Sequence, residues 1–244
     1  MLSQGVTRRV KAKSEAEKPF WISYADLMTA MMVLCLVTMA SAILMSQKEK
    51  NESNRQARER DQAIKSICDD LEERLASASG ASVSIKNCDS ERNRIDFGER
   101  GRFAFGSDRL PPDAGPAIAA LVPLILEISE STEGSQWMRR VIVEGYTDNR
   151  GGYLYNLNLS LRRSERVMCM LMDRRANPAL DLSDEQIRKV QQLFVAGGVS
   201  FADPKETADL SRRVEMRIEF YPPGGRGNAA LVESPLAELD QCRI

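Results

Sequence analysis

The stretch Val143-Glu-Gly-Tyr-Thr-Asp-Asn-Arg-Gly-Gly-Tyr-Leu-Tyr-Asn-Leu-Asn-Leu-Ser-Leu-Arg-Arg-Ser164 passes from one local pattern to another. Before it and into its start, Val141, Val143 and Gly145 alternate with other residues, the period of a strand buried on one face, here 139–145. The segment 147–153 is polar and glycine-rich and reads as a loop, and a helix is expected over about 155–173. Val214, Met216, Ile218 and Phe220 repeat the alternation and predict a last strand over 213–221. Between and before these lie an expected strand at 92–98, a turn from Gly106 to Pro112 and a helix at about 113–130 containing Pro123. A shorter helix at about 183–193 opens on the capping signal Ser183…Gln186, and a strand follows near 193–199. Strands mixed with helices in this way predict an α/β (α+β) sandwich, with helices packed on a sheet. That domain is expected over 83–222, with a loop-like C-terminal tail over 223–244.

The opening stretch resembles the signature of OmpA-like peptidoglycan-binding domains, approximately G-x-T-D-x-x-G followed by Y-N-x-x-L-S-x-R-R-A. Phe103-Ala-Phe105-Gly106-Ser107 resembles that family's strand exit, and Arg212-Arg213-Val214-Glu215 its closing strand. The matches run in order over roughly 92–221. The resemblance implies a site for diaminopimelate-type peptidoglycan, with Asp148 and Arg163 as the clamp and with Tyr155, Asn156 and Leu157 opening the helix that carries Arg163. The chemistry suits such a ligand: an acid faces the ammonium of the amino-acid end, and an Arg fork pairs with its carboxylate. A helix N-terminus also favours an anion. Leu159, Ser160 and Arg162 read as structural positions, with Leu159 in the core. Two departures touch the loops. Ser211 stands where the family usually has Asn, and 176–206 is longer and more acidic than the pattern.

Toward the N-terminus, Phe20 to Met45 is apolar apart from Asp26. As a helix of about 1.5 Å per residue it exceeds a hydrocarbon core of about 30 Å. A cleavable signal peptide is the rival reading, but its apolar region would be about 7–15 residues with no central acid. Five basic groups against two acidic ones over residues 1–25 give a local +3, which places the 1–19 tail in the cytoplasm by the positive-inside rule. Trp21 and Tyr24 suit the membrane interface. The expectation is a single-pass inner-membrane protein, with its transmembrane helix at 20–46 and its C-terminal domain in the periplasm. An Asp inside such a helix costs about 2.5–3.5 kcal/mol, so it marks a function or a partner. Thr29, Ala30, Val33, Val37 and Ser41 share its helical face and are small or hydroxylated, as packed membrane-helix interfaces are. The larger Leu27, Met31, Leu34 and Met45 are expected mostly elsewhere, so Asp26 faces protein.

The run Trp21-Ile-Ser-Tyr24-Ala-Asp26-Leu-Met28-Thr29-Ala30 resembles the membrane helix of MotB-like stator subunits and, more loosely, TolR and ExbD. In that family the aspartate is the proton-carrying group. A buried carboxyl can switch state because desolvation favours its neutral form, while a nearby cation or water favours the charged one. With the OmpA-like domain, the resemblance implies a stator subunit, most like the B subunits of Zorya-type anti-phage defence. It further implies a MotA-like (ZorA-type) multi-helix membrane partner at 5:2, a self-dimer, peptidoglycan as anchor, and indirect coupling to cytoplasmic nuclease or helicase effectors. A flagellar stator B subunit and a passive cell-wall tether are the alternatives.

The linker at 47–82 is polar over 47–63 and then places Ile64, Ile67, Cys68, Leu71 and Leu75 on one narrow stripe. That stripe reads either as a short coiled-coil dimer seam or as a helix packed on its own domain. Ser77-Ala-Ser-Gly80 is an expected break. Cys35 lies in the membrane span, leaving Cys68, Cys88, Cys169 and Cys242 outside, where oxidation permits two disulfides in three pairings. Cys68–Cys88 with Cys169–Cys242 is the favoured set, while unpaired thiols and a symmetric Cys68–Cys68 bridge stay open. Over all 244 residues the net charge is −1, which gives no reason to expect direct nucleic-acid binding. The chain contains no histidine, so imidazole-based catalysis and His metal sites are excluded. No nucleophile–base pair or metal cluster is evident, and no enzyme, metal or cofactor is expected.

Overall fold

The computed structural model describes residues 18–79, 83–86, 93–223 and 242. It separates into two units, Met1–Asn54 and Arg55–Ile244, and the division falls inside the first helix. That helix, α1, runs unbroken from Lys18 to Ser79. Its first part is long and apolar enough to cross a membrane, with a window of mean hydropathy 2.3. Trp21, Leu27, Met31, Leu36 and Met45 are exposed there, so this surface has no protein cover among the described residues.

The second unit is a five-stranded sheet under helices. In chain order it contains β1 (Ser84–Lys86), β2 (Arg94–Asp96), α2 (Ala114–Glu130), α3 (Thr132–Trp137), β3 (Met138–Tyr146), α4 (Tyr153–Met172), α5 (Asp184–Leu193), β4 (Phe194–Ser200), α6 (Ala208–Ser211) and β5 (Val214–Phe220). The strands lie in the order β1-β2-β5-β3-β4. All neighbours are antiparallel except β3 and β4, whose parallel pairing requires the long crossover that α4 and α5 supply. The fold is therefore the mixed α/β sandwich expected.

The alternation in β3 and β5 divides the sheet into two unlike faces. Val141, Val143, Val214, Met216 and Ile218 point into the core, where Leu121, Val122 and Ile125 of α2 and Val167 of α4 meet them. The other face carries a charged lattice. The Tyr146 hydroxyl donates to Glu144 at 2.6 Å, Arg217 reaches Glu144 at 2.8 Å and Arg213 reaches Glu215 at 2.6 Å. Arg94 of β2 pairs with both Asp203 and Glu215.

The apolar stripe of α1 is not a seam between copies. Ile64, Ile67, Cys68, Leu71 and Leu75 are each no more than 2% exposed and belong to the hydrophobic core of the second unit. Arg60 donates to the Tyr221 carbonyl at 2.6 Å and Arg74 pairs with Glu127 at 2.7 Å, fixing this part of α1 on the domain. Periodicity reveals that a stripe will be buried; which surface buries it depends on residues far along the chain.

Smaller differences have local causes. The strand expected over 92–98 shortens to Arg94–Asp96, because Asp96 accepts from the Gly98 amide and turns the chain into a 3-10 segment at Gly98–Gly101. The short α3, α6 and β1 were not expected. The first two begin on side-chain caps, Ser131 accepting from Gly134 and Thr207 from Leu210. The capping box at Ser183 and Gln186 forms in full, and it fixes the start of α5.

Candidate functional site

The end of β3, the start of α4 and the start of β5 converge on Asp148. The approach is set by Gly145: a side chain there would meet the Ser160 carbonyl of α4 at 2.0 Å and the Arg163 side chain at 3.2 Å. Helix and strand thus pack backbone to backbone, and the positions on α4 facing β3 are forced inward.

Asp148 is 4% exposed, and its carboxylate is held by two arginines. Arg150 donates through Nη2 at 2.8 Å and Arg212 through Nη1 at 2.9 Å, both to Oδ2, while the Arg150 amide donates to Oδ1 at 3.1 Å. Burial pushes the Asp148 carboxyl up, but the bonds from Arg150 and Arg212 outweigh it and hold the group below the usual carboxylate range. Arg212 is itself fixed, its Nε donating to the Phe103 carbonyl at 3.0 Å and its Nη2 to Asp209 at 2.6 Å.

Arg163 is wholly buried. Its guanidinium donates to the carbonyls of Tyr146 at 2.5 Å and Ser107 at 2.8 Å and lies over the Phe103 ring at 4.6 Å. Burial, together with the charge on Arg212, lowers its pKa to about 10. It remains a cation at neutral pH. Asp148 and Arg163 therefore meet in one site, yet the direct partners of Asp148 are Arg150 and Arg212. The physical reason is the close β3–α4 contact, which sends Arg163 under the loop that ends at Ser107 rather than out toward the acid.

The other expected residues separate by role. Asn156 is buried and donates to the Arg150 carbonyl at 3.0 Å, shaping the loop. Tyr155 is exposed, Leu157 is half-buried and Leu159 is in the interior. Arg150 lies over the exposed Phe105 ring at 4.0 Å. Arg150 and Arg212 were not assigned from sequence, although both lie inside the quoted motifs. Their signal was the excess of arginine around one acid. The arrangement sets three guanidinium groups about a single carboxylate. It can receive an external carboxylate on the cationic side and an ammonium at Asp148.

Cys169 of α4 and Cys242 form a disulfide, Cα to Cα 5.8 Å. Cys68 is buried and disulfide-bonded, and Cys88, its expected partner, lies outside the described residues. Cys35 is a free, exposed thiol.

On the apolar part of α1, Asp26, Thr29, Ala30, Val33, Leu34 and Val37 line one shallow groove. Leu34 joins this face rather than lying elsewhere, because the eighth residue along a helix is displaced by less than a quarter-turn. Thr29 Oγ1 donates to the Asp26 backbone carbonyl at 2.8 Å and Ser41 Oγ to that of Val37 at 2.8 Å. The hydroxyls are thus satisfied within the helix, and the Asp26 carboxylate is the charged group of that face.

No model of a known protein family matches the chain. It is 45% identical over 217 residues to Zorya protein ZorB of Escherichia coli O139:H28 (strain E24377A / ETEC), covering 89% of this chain and 86% of that one. Among solved structures, a putative MotB-like protein from Desulfovibrio vulgaris superposes with a TM-score of 0.45 at 18% identity, over 67% of this chain and 98% of that one. The periplasmic domain of Helicobacter pylori MotB gives 0.40 at 15%, over 58% and 82%. The cell wall anchor of the T6SS from Pseudomonas aeruginosa gives 0.36 at 22%, over 62% and 96%.

Proposed function

The chain belongs to the ZorB family, and from that premise we propose that it is a stator-like inner-membrane subunit of a proton-driven complex acting in anti-phage defence. Asp26 carries the protons, alternating between charged and neutral forms as its surroundings change during the cycle. A MotA-like (ZorA-type) multi-helix membrane subunit, five copies around two of this chain, supplies the walls that the Asp26 groove lacks. The N-terminal tail lies in the cytoplasm, and the sandwich domain lies in the periplasm. That domain holds diaminopimelate-type peptidoglycan between Asp148 and the cationic cluster of Arg163, Arg150 and Arg212, with Tyr155, Asn156 and Leu157 shaping the entrance. Proton flow against a fixed anchor then does work on the partner, which is coupled indirectly to cytoplasmic nuclease or helicase effectors.

The observation that carries this reading is the single acid on an otherwise apolar helix face, with small and hydroxylated neighbours at helical spacing. A passive tether has no need of it. The test is Asp26→Asn in cells that contain the partner subunit and effectors, with phage plating efficiency as the readout and membrane abundance as the control. Loss of protection at unchanged abundance is expected. Full protection by Asp26→Asn would overturn proton carriage and leave the tether.

A further inference from the structure

We propose that a second cavity in the outer domain is an anion subsite for a carboxylate of the wall peptide beyond the end held at Asp148; this deepens the wall-binding reading and rests on it. The cavity, about 650 Å³, is lined by Arg109, Leu110, Met170, Arg175 and Cys242 together with Arg166. Three guanidinium groups therefore share it with Asp173, the one acid on its wall among the described residues. Asp173 is already engaged, its Oδ1 accepting from the Arg175 amide at 2.9 Å.

The Arg166 Nε is buried and has no hydrogen-bond partner among the described residues. Its Nη2 approaches Asp108 only to 3.8 Å. The Arg166 side chain is 21% exposed at the cavity wall, so an external carboxylate gains a charge-assisted bond from its guanidinium without displacing a close internal one, while the occluded Nε is not the contact. Arg109 and Arg175 are exposed, and no carboxylate pairs with either side chain among the described residues. The apolar Leu110 and Met170 fit the carbon skeleton of a short peptide rather than a bare inorganic anion.

Continuity with the clamp identifies the occupant. Arg166 follows Arg163 by one helical turn on α4, a rise of about 5 Å. The loop whose Ser107 carbonyl accepts from Arg163 continues directly into Arg109 and Leu110. The lining on α4 runs from Arg166 on to Met170, about 5 to 10 Å along the helix from Arg163. An extended peptide advances about 3.5 Å per residue, so about two or three residues of a stem link the two positions. A wall peptide whose diaminopimelate end is held at Asp148 thus places a further stem carboxylate at this cavity. Free diaminopimelate has no such reach.

That difference provides the test. The full chain in detergent is titrated calorimetrically with a soluble disaccharide-tetrapeptide containing diaminopimelate and, separately, with free diaminopimelate. Replacing the exposed pair, Arg109→Gln with Arg175→Gln, is expected to weaken disaccharide-tetrapeptide binding at least about tenfold, the effect of losing a charge-assisted contact. Binding of free diaminopimelate and the melting temperature should stay unchanged, and Asp148→Ala should lose both ligands. Equal tetrapeptide affinity in the double variant and the unsubstituted chain would overturn the subsite while leaving the clamp intact. An equal loss of both ligands in the double variant would also overturn it. If the unsubstituted chain binds neither ligand, the wall-binding reading fails and the subsite falls with it.

Discussion

Asp148 is the residue on which the outer site turns, and its electrostatics can be tested without any ligand. Its carboxyl is held below its unfolded value because Arg150 and Arg212 donate to it, in excess of what burial costs. A carboxylate with a depressed folded-state pKa contributes stability that is fully present above the unfolded value of about 3.9 and is lost as pH falls through the folded value. Asp148→Asn should therefore be about 2 kcal/mol less stable at neutral pH, the worth of hydrogen bonds to a charged group. The deficit should shrink as the pH falls below about 4. Chemical denaturation of both proteins at neutral and acid pH measures it, and a deficit independent of pH would exclude the charge as its source. The sequence made Asp148 visible because it sits in a short motif. Arg212 was not legible in the same way, since it lies 64 positions away and reaches Asp148 only because β5 returns beside β3. Arg163 was legible as part of the site but not in its contacts, which depend on the depth to which α4 settles.

That depth is fixed by Gly145. A methyl group at this position would stand 2.0 Å from the Ser160 carbonyl, a backbone atom that cannot rotate away, so α4 would have to lift from β3. Gly145→Ala is expected to lower stability by about 3 kcal/mol, the upper part of the range for overpacking. It should also displace Arg163 from the Tyr146 and Ser107 carbonyls, so thermal melting and wall-peptide affinity should fall together. A variant as stable as the parent would show that the helix has room to spare. Elements with a strong period were legible in the sequence: β3, β5, α2, α4 and the capped α5 lie close to where alternation, 3.6-residue spacing and Ser183…Gln186 predict them. Short elements begun by one side-chain cap, α3 and α6, carry too few residues to show a period. The stripe on α1 shows the other limit. Its spacing established that Ile64, Ile67, Leu71 and Leu75 would be buried, but the choice between a second copy and the chain's own core was made by α2 and the sheet.

Taken over its full length, the chain joins an apolar helical segment long enough to cross a membrane and bearing one acid to a mixed α/β domain crossed by arginine–carboxylate pairs. It contains no histidine. Among the described residues, the outer-domain groups displaced from their ordinary values move away from neutral pH or stop well short of it. Asp148 and Asp203 are held low by their arginine and lysine neighbours against the upward push of burial, and Tyr146 is raised by burial and its bond to Glu144. Arg163 comes down only to about 10. The absence of imidazole, which alone titrates unperturbed between about pH 5 and 8, makes the outer domain a poor pH sensor. The melting temperature of the full chain should therefore vary by no more than about 1 °C between about pH 5.5 and 8, under the roughly 2–4 °C that 1 kcal/mol produces in a domain of this size. A larger variation would mean that a group in the domain titrates there, and the division between anchor and carrier would fail. With a flat stability profile, a change in activity across the same pH range cannot be attributed to the anchor. On the proposed stator reading, Asp26 and the groups that a membrane partner would place around it are then the sites to examine. Comparing the activity profile of the parent with that of Asp26→Glu, which keeps a carboxyl but moves it by one methylene, separates them: a displaced profile assigns the titration to position 26, and an unmoved one assigns it to the partner.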